Sequence, residues 1–122
     1  MTWDIRSDRA IYTQLVEQIQ LRIVAGVYPA GSKLPSVRDL AAEAAVNPNT
    51  MQRALAQLES LELVFSQRTS GRYITEDEQM IEKLKNTLAI EQITAFFEKM
   101  RQLGYTPEAV VALVQQAEEE MR

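Results

Sequence analysis

The sequence predicts a mainly α-helical chain that carries one small β-hairpin. Apolar residues recur at helical spacing in three consecutive segments of the first half of the chain. The second and third segments are separated by only about three or four residues, which is the spacing of a helix-turn-helix. Two runs rich in β-branched and aromatic residues follow, on either side of a turn that contains glycine. Together these observations predict a winged helix-turn-helix domain, which is followed by a short two-helix region.

The first helix is predicted to begin after a polar N-terminal stretch. Ser7 or Asp8 can cap its start, and Gly26 can end it. Residues 26–35 are predicted to form a connecting loop, because prolines and glycines interrupt regular structure there. The apolar positions of the helix recur at every fourth residue: Ile11, Leu15, Ile19 and Ile23.

The second and third helices meet at an Asn-Pro pair. Ser36 is the expected N-cap of the second helix, which must end before Asn47 because a residue that precedes proline is disfavoured in helical conformation. Asn47 is in turn a favoured N-cap for the third helix, and Pro48 is tolerated at its first position. This helix is predicted to extend to about Leu61. The expected buried faces contain Val37, Leu40, Ala41 and Ala44 in the second helix, and Met51, Leu55, Leu58 and Leu61 in the third.

The hairpin is predicted from two short runs, residues 63–66 and 72–75. Both are rich in residues that favour strands, and residues 67–71 between them supply a turn with Gly71 at its end. Three helices followed by a hairpin make up the winged helix-turn-helix arrangement, with the hairpin as the wing.

The remaining chain is predicted to form two helices. The first spans residues 76–103 and ends at Gly104, and the second is capped by Thr106 and begins at Pro107. Two helices of this size bury too little surface to stabilise themselves, so we expect a second copy of the chain to cover their apolar faces. Phe96, Phe97 and Met100 could instead line a ligand pocket, but helical spacing favours a dimer core. The predicted dimerisation residues are Leu84, Leu88, Ile93, Phe96, Phe97, Met100, Val110, Leu113 and Val114.

Composition argues against catalysis and against export. The chain has neither cysteine nor histidine, so it lacks thiolate ligands, the commonest metal ligand and the commonest general base. The acidic run at residues 76–78 is expected to favour a helix N-terminus rather than to bind metal. No apolar run approaches the roughly 18 residues of a membrane span, and the N-terminal residues are too charged for a signal peptide. We therefore expect a cytoplasmic protein with no enzymatic activity, no cofactor and no metal site.

Charge is distributed unevenly along the chain. Residues 1–75 contain 8 basic and 7 acidic residues (net +1), and residues 76–122 contain 5 and 10 (net −5), which sum to the overall charge of −4. Most prolines and glycines also precede residue 75. These differences predict a boundary near Thr75, with a DNA-binding domain at residues 1–75 and a dimerisation region at residues 76–122.

The exposed face of the third helix, Arg38 and the tip of the hairpin carry the residue types that bind duplex DNA. Arginine pairs with guanine, asparagine and glutamine pair with adenine, and cations and hydroxyl groups bind phosphates. Lys33 adds a further cation for phosphate contacts. The predicted DNA-binding residues are Ser36, Arg38, Asn47, Asn49, Thr50, Gln52, Arg53, Arg68, Ser70, Gly71 and Arg72.

Four stretches of the sequence resemble the DNA-binding domain of GntR-type bacterial transcription regulators: residues 8–15, 26–41, 46–54 and 68–74. The resemblance implies that Arg38 reaches bases, that Asn49 and Thr50 begin the recognition helix, that Ser36 contacts phosphate and that Gly71 forms the tip of the wing. The tail, with the motif at residues 103–108, is similar to the YtrA subfamily, whose members dimerise through this region and often control transporter operons.

We therefore expect a homodimeric, sequence-specific transcription regulator, a repressor, that binds an inverted-repeat operator. The alternative is a winged-helix module that binds protein rather than DNA, which the nearly neutral charge of residues 1–75 favours. The sequence identifies no small-molecule effector.

Overall fold

The computed structural model describes all 122 residues and confirms a mainly helical fold with one small sheet. Along the chain, three helices precede a two-stranded antiparallel hairpin and two helices follow it. No helix combines the length and the apolar character that a membrane span requires. The elements in chain order are α1 (Ile11–Val24), α2 (Val37–Ala44), α3 (Pro48–Ser60), β1 (Val64–Gln67), β2 (Gly71–Ile74), α4 (Glu78–Gln102) and α5 (Pro107–Met121).

The chain divides into two compact units, Met1–Lys85 and Asn86–Arg122. The sequence placed its boundary at Thr75. The first unit extends beyond that residue because Met80, Ile81 and Leu84 pack against its hydrophobic core. Burial of apolar side chains from α1, α2, α3 and the hairpin is what stabilises this unit. Its fully buried members include Leu15, Ile19, Leu40, Met51, Leu55, Leu58, Val64 and Ile74.

The start of α1 differs from the prediction. Neither Ser7 nor Asp8 caps the helix, and its N-cap, Ala10, makes no side-chain hydrogen bond. The buried side chain of Gln14 instead connects the helix to the segment before it. Gln14 Nε2 donates to the carbonyl oxygens of Arg6 (2.6 Å) and Arg9 (3.0 Å), and Gln14 Oε1 accepts from the backbone N–H of Arg6 (2.7 Å). The buried amide of Gln14 thus holds the preceding segment against α1, with its own hydrogen-bonding groups satisfied.

The helix-turn-helix forms as predicted. Ser36 Oγ accepts from the backbone N–H of Asp39 at 3.1 Å, and Asn47 Oδ1 accepts from the N–H of Asn49 at 2.7 Å. Ala45 ends α2 in the left-handed conformation, with φ of 56°, which turns the chain towards α3. The prediction for Leu61 was wrong: α3 ends at Ser60, Leu61 is 42% exposed, and Leu63 enters the core in its place.

A third, short segment pairs with the hairpin of the wing, and the sequence did not predict it. In the hairpin, Val64 pairs with Ile74 and Ser66 pairs with Arg72. The loop before α2 runs beside β2: the N–H of Leu34 donates to Arg72 O (2.9 Å), and the N–H of Ile74 donates to Ser32 O (2.8 Å). The prolines on both sides of this segment suggested only a loop, yet its backbone groups pair with the sheet.

In the second unit, the cap of α5 confirms the prediction. Thr106 Oγ1 accepts from the N–H of Ala109 at 3.2 Å, and Pro107 is the first helical residue. Of the apolar residues on α5, only Val110 is buried within the single chain. Most of the apolar surface of this unit therefore faces outward.

Candidate nucleic-acid interface

A groove on the first unit lies between the N-terminus of α2 and the tip of the wing; we call it the wing groove. Its volume is about 550 Å³. It brings together Ser36, Ser70, Gly71 and Arg72, four of the residues that the sequence predicted for DNA binding, and adds Lys33 beside them. Residues from two distant parts of the chain, the start of α2 and the wing, thus share one concave surface.

Gly71 shapes this groove through its backbone. Its φ of 111° lies in the region that favours glycine, and a Cβ atom there would stand 3.2 Å from Lys33 Cε. Glycine therefore lets the Lys33 side chain pass beside the wing tip. This close approach places an exposed cation next to the hydroxyl of Ser70, which accepts from Tyr73 Oη at 3.1 Å.

The hydroxyl group of Ser36 can still donate a hydrogen bond to a ligand. Its oxygen accepts the capping hydrogen bond from Asp39, and its hydroxyl proton remains available to donate to a phosphate oxygen. In the same way the Oδ1 atom of Asn47 caps α3, whereas its amide group keeps two N–H donors. The two capping residues can therefore fold the motif and contact DNA at once.

A second depression, of about 380 Å³, lies where the start of α1 meets the start of α3; we call it the recognition depression. Asn49, Thr50 and Arg53 line it on the α3 side, and Tyr12 lines it on the α1 side. The Arg53 guanidinium lies 3.7 Å from the centre of the Tyr12 ring, in cation–π geometry. Sequence reasoning placed Arg53 by helical phase alone, and did not identify Tyr12 as its support.

Four predicted residues line neither depression: Arg38, Asn47, Gln52 and Arg68. All four are exposed, and the side chains of Arg38, Gln52 and Arg68 make no hydrogen bond or ion pair within the chain. Their donors are free to bind phosphates or base edges.

Arg72 differs from the other predicted cations because it has an internal partner. Its Nε donates to Glu59 Oε1 at 2.7 Å, and Ser66 Oγ donates to the same oxygen at 2.5 Å. Partial burial raises the pKa of Glu59, but the hydrogen bonds from Ser66 and Arg72 and the charge of Arg72 outweigh it, so the pKa lies below its ordinary value. Glu59 is thus ionised at neutral pH and paired with the wing. Sequence reasoning gave it no role.

The predicted dimerisation residues differ in exposure. Leu84 packs against the core of the first unit, and Val110 is only 1% exposed within the second. Ile93, Phe96 and Val114 are 41–50% exposed. The remaining four residues are half-buried: Leu88, Phe97, Met100 and Leu113.

Comparison with known proteins gives consistent matches. The family model of bacterial regulatory proteins, gntR family, matches residues 11–74. The HTH-type transcriptional regulator YhcF of Bacillus subtilis is 38% identical over 106 residues, which cover 87% of this chain and 88% of YhcF. The HTH-type transcriptional repressor YtrA of the same organism is 36% identical over 82% of this chain and 72% of its own length. A solved GntR family transcriptional regulator from Listeria monocytogenes superposes with a TM-score of 0.84 at 42% identity, covering 92% of this chain and 98% of that one.

Proposed function

This chain belongs to the GntR family of bacterial regulatory proteins, and from this premise we propose that it represses transcription by binding an inverted-repeat operator as a homodimer. The observation that carries the proposal is the wing groove, where Lys33 and Ser36 at the start of α2 meet Gly71 of the wing. The recognition depression adds polar residues of α3. These elements present cations, hydroxyls and amides, the groups that bind a DNA duplex.

We assign the recognition of DNA bases to Arg38 and to the exposed residues of α3. Its first turns lie in the position of a recognition helix, whose N-terminal residues enter the major groove. Arg38 and Arg53 provide guanidinium groups for guanine, and Asn49 and Gln52 provide amides for adenine. Ser36 and Thr50 are assigned to phosphates, which orient the protein on the duplex without reading bases.

Dimerisation is assigned to the second unit. Ile93, Phe96 and Val114 leave apolar surface open to solvent, and an isolated unit of this size gains too little from burial to offset its loss of chain entropy. A second copy of the same helices covers this surface with two-fold symmetry. Two winged domains then present their α3 helices to two half-sites.

Repression is supported by the name of the relative YtrA, a transcriptional repressor. Such a protein acts by occupying chromosomal DNA in the cytoplasm and needs no catalytic group. The wing groove and the recognition depression present cations, hydroxyls and amides, which are the groups that bind DNA.

The proposal is tested by fluorescence anisotropy with a labelled fragment from the region upstream of the gene. We expect saturable binding whose logarithmic salt slope is about −0.9 for each phosphate contacted, despite the acidic pI of 4.9. Arg38→Ala should weaken binding strongly, whereas Arg6→Ala, an exposed cation outside both depressions, should not. Binding that does not change with salt, or equal effects of the two substitutions, would contradict DNA recognition by this surface.

A further inference from the structure

A single carboxylate oxygen joins the recognition helix to both strands of the wing. Glu59 is in the last turn of α3, and its Oε1 accepts from Ser66 on β1 and from Arg72 on β2. Ser66 and Arg72 are directly opposite each other in the hairpin register. Glu59 therefore contacts the wing at one level across its full width.

This level separates two different halves of the wing. Nearer the core, Val64 and Ile74 are buried and hold the hairpin through apolar contacts. Beyond it, Gln67, Arg68 and Thr69 are exposed and give the tip no apolar anchor. At the level of Ser66 and Arg72 the hairpin is held by polar contacts, which are the two bonds to Glu59 and the backbone bond from Leu34 to Arg72 O.

The ion pair between Arg72 and Glu59 is partly shielded from solvent. The side chains of Arg72 and Glu59 are 20% and 31% exposed, whereas the four other ion pairs of the chain join side chains that are about half exposed or more. Solvent screens such exposed pairs almost completely. The Arg72–Glu59 pair, with its additional bond from Ser66, is the ion pair best protected from this screening.

We propose that Glu59 is a positioning residue for DNA binding, which holds the wing tip against the recognition helix through Arg72 and Ser66. In this arrangement the charge of Arg72 is neutralised within the protein, and Arg68, which has no internal partner, supplies the phosphate contact of the wing. The inference rests on the proposed DNA-binding function. It changes the role that the sequence suggested for Arg72, from a DNA contact to a support.

The first test uses the full-length protein without DNA. Amide hydrogen exchange of the hairpin is measured by NMR for wild type, Glu59→Gln, Arg72→Gln and the double variant. Each single substitution should accelerate exchange at residues 66–72 several-fold, and the double variant should exchange no faster than the singles, because one contact is lost in all three. Unchanged exchange in the singles, or additive acceleration in the double variant, would overturn the coupling.

The second test measures DNA affinity as a function of salt, for the upstream fragment and for a random duplex. Arg68→Gln should reduce the logarithmic salt slope by about 1 for each wing engaged, as expected for a lost phosphate contact. Arg72→Gln should leave the slope unchanged, and both it and Glu59→Gln should lower the ratio of specific to random affinity. Thermal melts provide the control for folding.

Two results distinguish this inference from the proposed function. A slope that falls as much in Arg72→Gln as in Arg68→Gln would show that Arg72 contacts phosphate, and would overturn the positioning role while DNA binding itself stands. A wild-type protein with no salt-dependent DNA affinity would overturn the proposed function and, with it, the role of Glu59 in DNA binding. The hydrogen-exchange result would still report whether the contact holds the wing.

Discussion

The guanidinium of Arg53 on α3 lies 3.7 Å from the centre of the aromatic ring of Tyr12 on α1. Tyr12 is half-buried, so its ring is held by the core, while Arg53 is exposed. The stack restricts a long, flexible side chain before any ligand is bound. It thereby reduces the entropy that Arg53 loses when it contacts DNA.

We predict that Tyr12→Leu weakens operator binding and that Tyr12→Phe does not. Phenylalanine keeps an aromatic face for the guanidinium, and leucine removes it. An exposed cation–π contact contributes about 0.5–1 kcal/mol, which corresponds to an affinity loss of roughly two- to fivefold. Anisotropy titrations of the three proteins at one salt concentration provide the measurement. Equal losses for leucine and phenylalanine would show that the ring does not position Arg53.

Base-reading and phosphate-contacting residues should behave differently when replaced. Arg38→Ala and Arg53→Ala should each cost about 1–3 kcal/mol and relax preference at one base pair per half-site. Ser36→Ala and Thr50→Ala should weaken all sequences alike, because phosphates carry no sequence information. Each variant is titrated against the operator and its single-base variants. If both arginine variants lose affinity uniformly and keep their base preference, these two residues are not the readers.

The stability contributed by Glu59 should disappear in acid. Its pKa in the folded protein is lowered, because the hydrogen bonds and the charge of its partners outweigh partial burial. A carboxyl group with a lowered pKa stabilises the fold above its unfolded pKa of about 4.3, and this contribution is lost as the pH falls through the folded value. Urea unfolding of wild type and Glu59→Gln should therefore differ by on the order of 1 kcal/mol at pH 7, and the difference should disappear as the pH falls through the folded pKa of Glu59.

Glu17→Gln is the matched control for this pH dependence. Glu17 also pairs with an arginine, Arg9, and its pKa is lowered mainly by that hydrogen bond, against the effect of burial. The side chains of Glu17 and Arg9 are both about half exposed, however, so solvent screens this ion pair. A pH-independent difference for Glu59→Gln, or an equally large effect at Glu17, would remove the evidence for a stabilising contact at the wing.

The second unit should control the oligomeric state. Ile93→Glu and Phe96→Glu place a charge on apolar surface that is exposed in the single chain, so they should dissociate a dimer without unfolding it. Glu91→Lys, an exposed change nearby, is the control. Sedimentation velocity at micromolar concentration should show a dimer for wild type and the control and a monomer for the two variants. A monomeric wild type would refute the proposed dimer.

Local sequence signals predicted the helix-turn-helix closely. Ser36, Asn47 and Thr106 cap the helices they were expected to cap, because a capping side chain bonds to backbone only two or three residues away. Gly71 lies at the turn of the wing for a similarly local reason, its positive φ. Such signals depend on the residue and its immediate neighbours, so the sequence alone reveals them.

The contacts that organise the interface could not be predicted in this way. Tyr12 meets Arg53, and Glu59 meets Arg72, only after separate elements have packed. No periodicity or motif joins such distant positions. The prediction that Leu61 is buried was also wrong. Leu61 continues the apolar spacing of α3, but the helix ends one residue earlier and the side chain is exposed.

Hydroxyl-radical footprinting of the upstream fragment tests the central claim most directly, because it reports binding, position and symmetry together. A two-fold dimer that inserts one α3 helix into each half-site should protect two symmetric segments whose centres lie about one helical turn, or 10–10.5 base pairs, apart. Arg38→Ala should abolish both protections at the same protein concentration. The absence of any protection at concentrations that saturate the anisotropy signal, or a single protected segment without symmetry, would contradict operator recognition by a dimer.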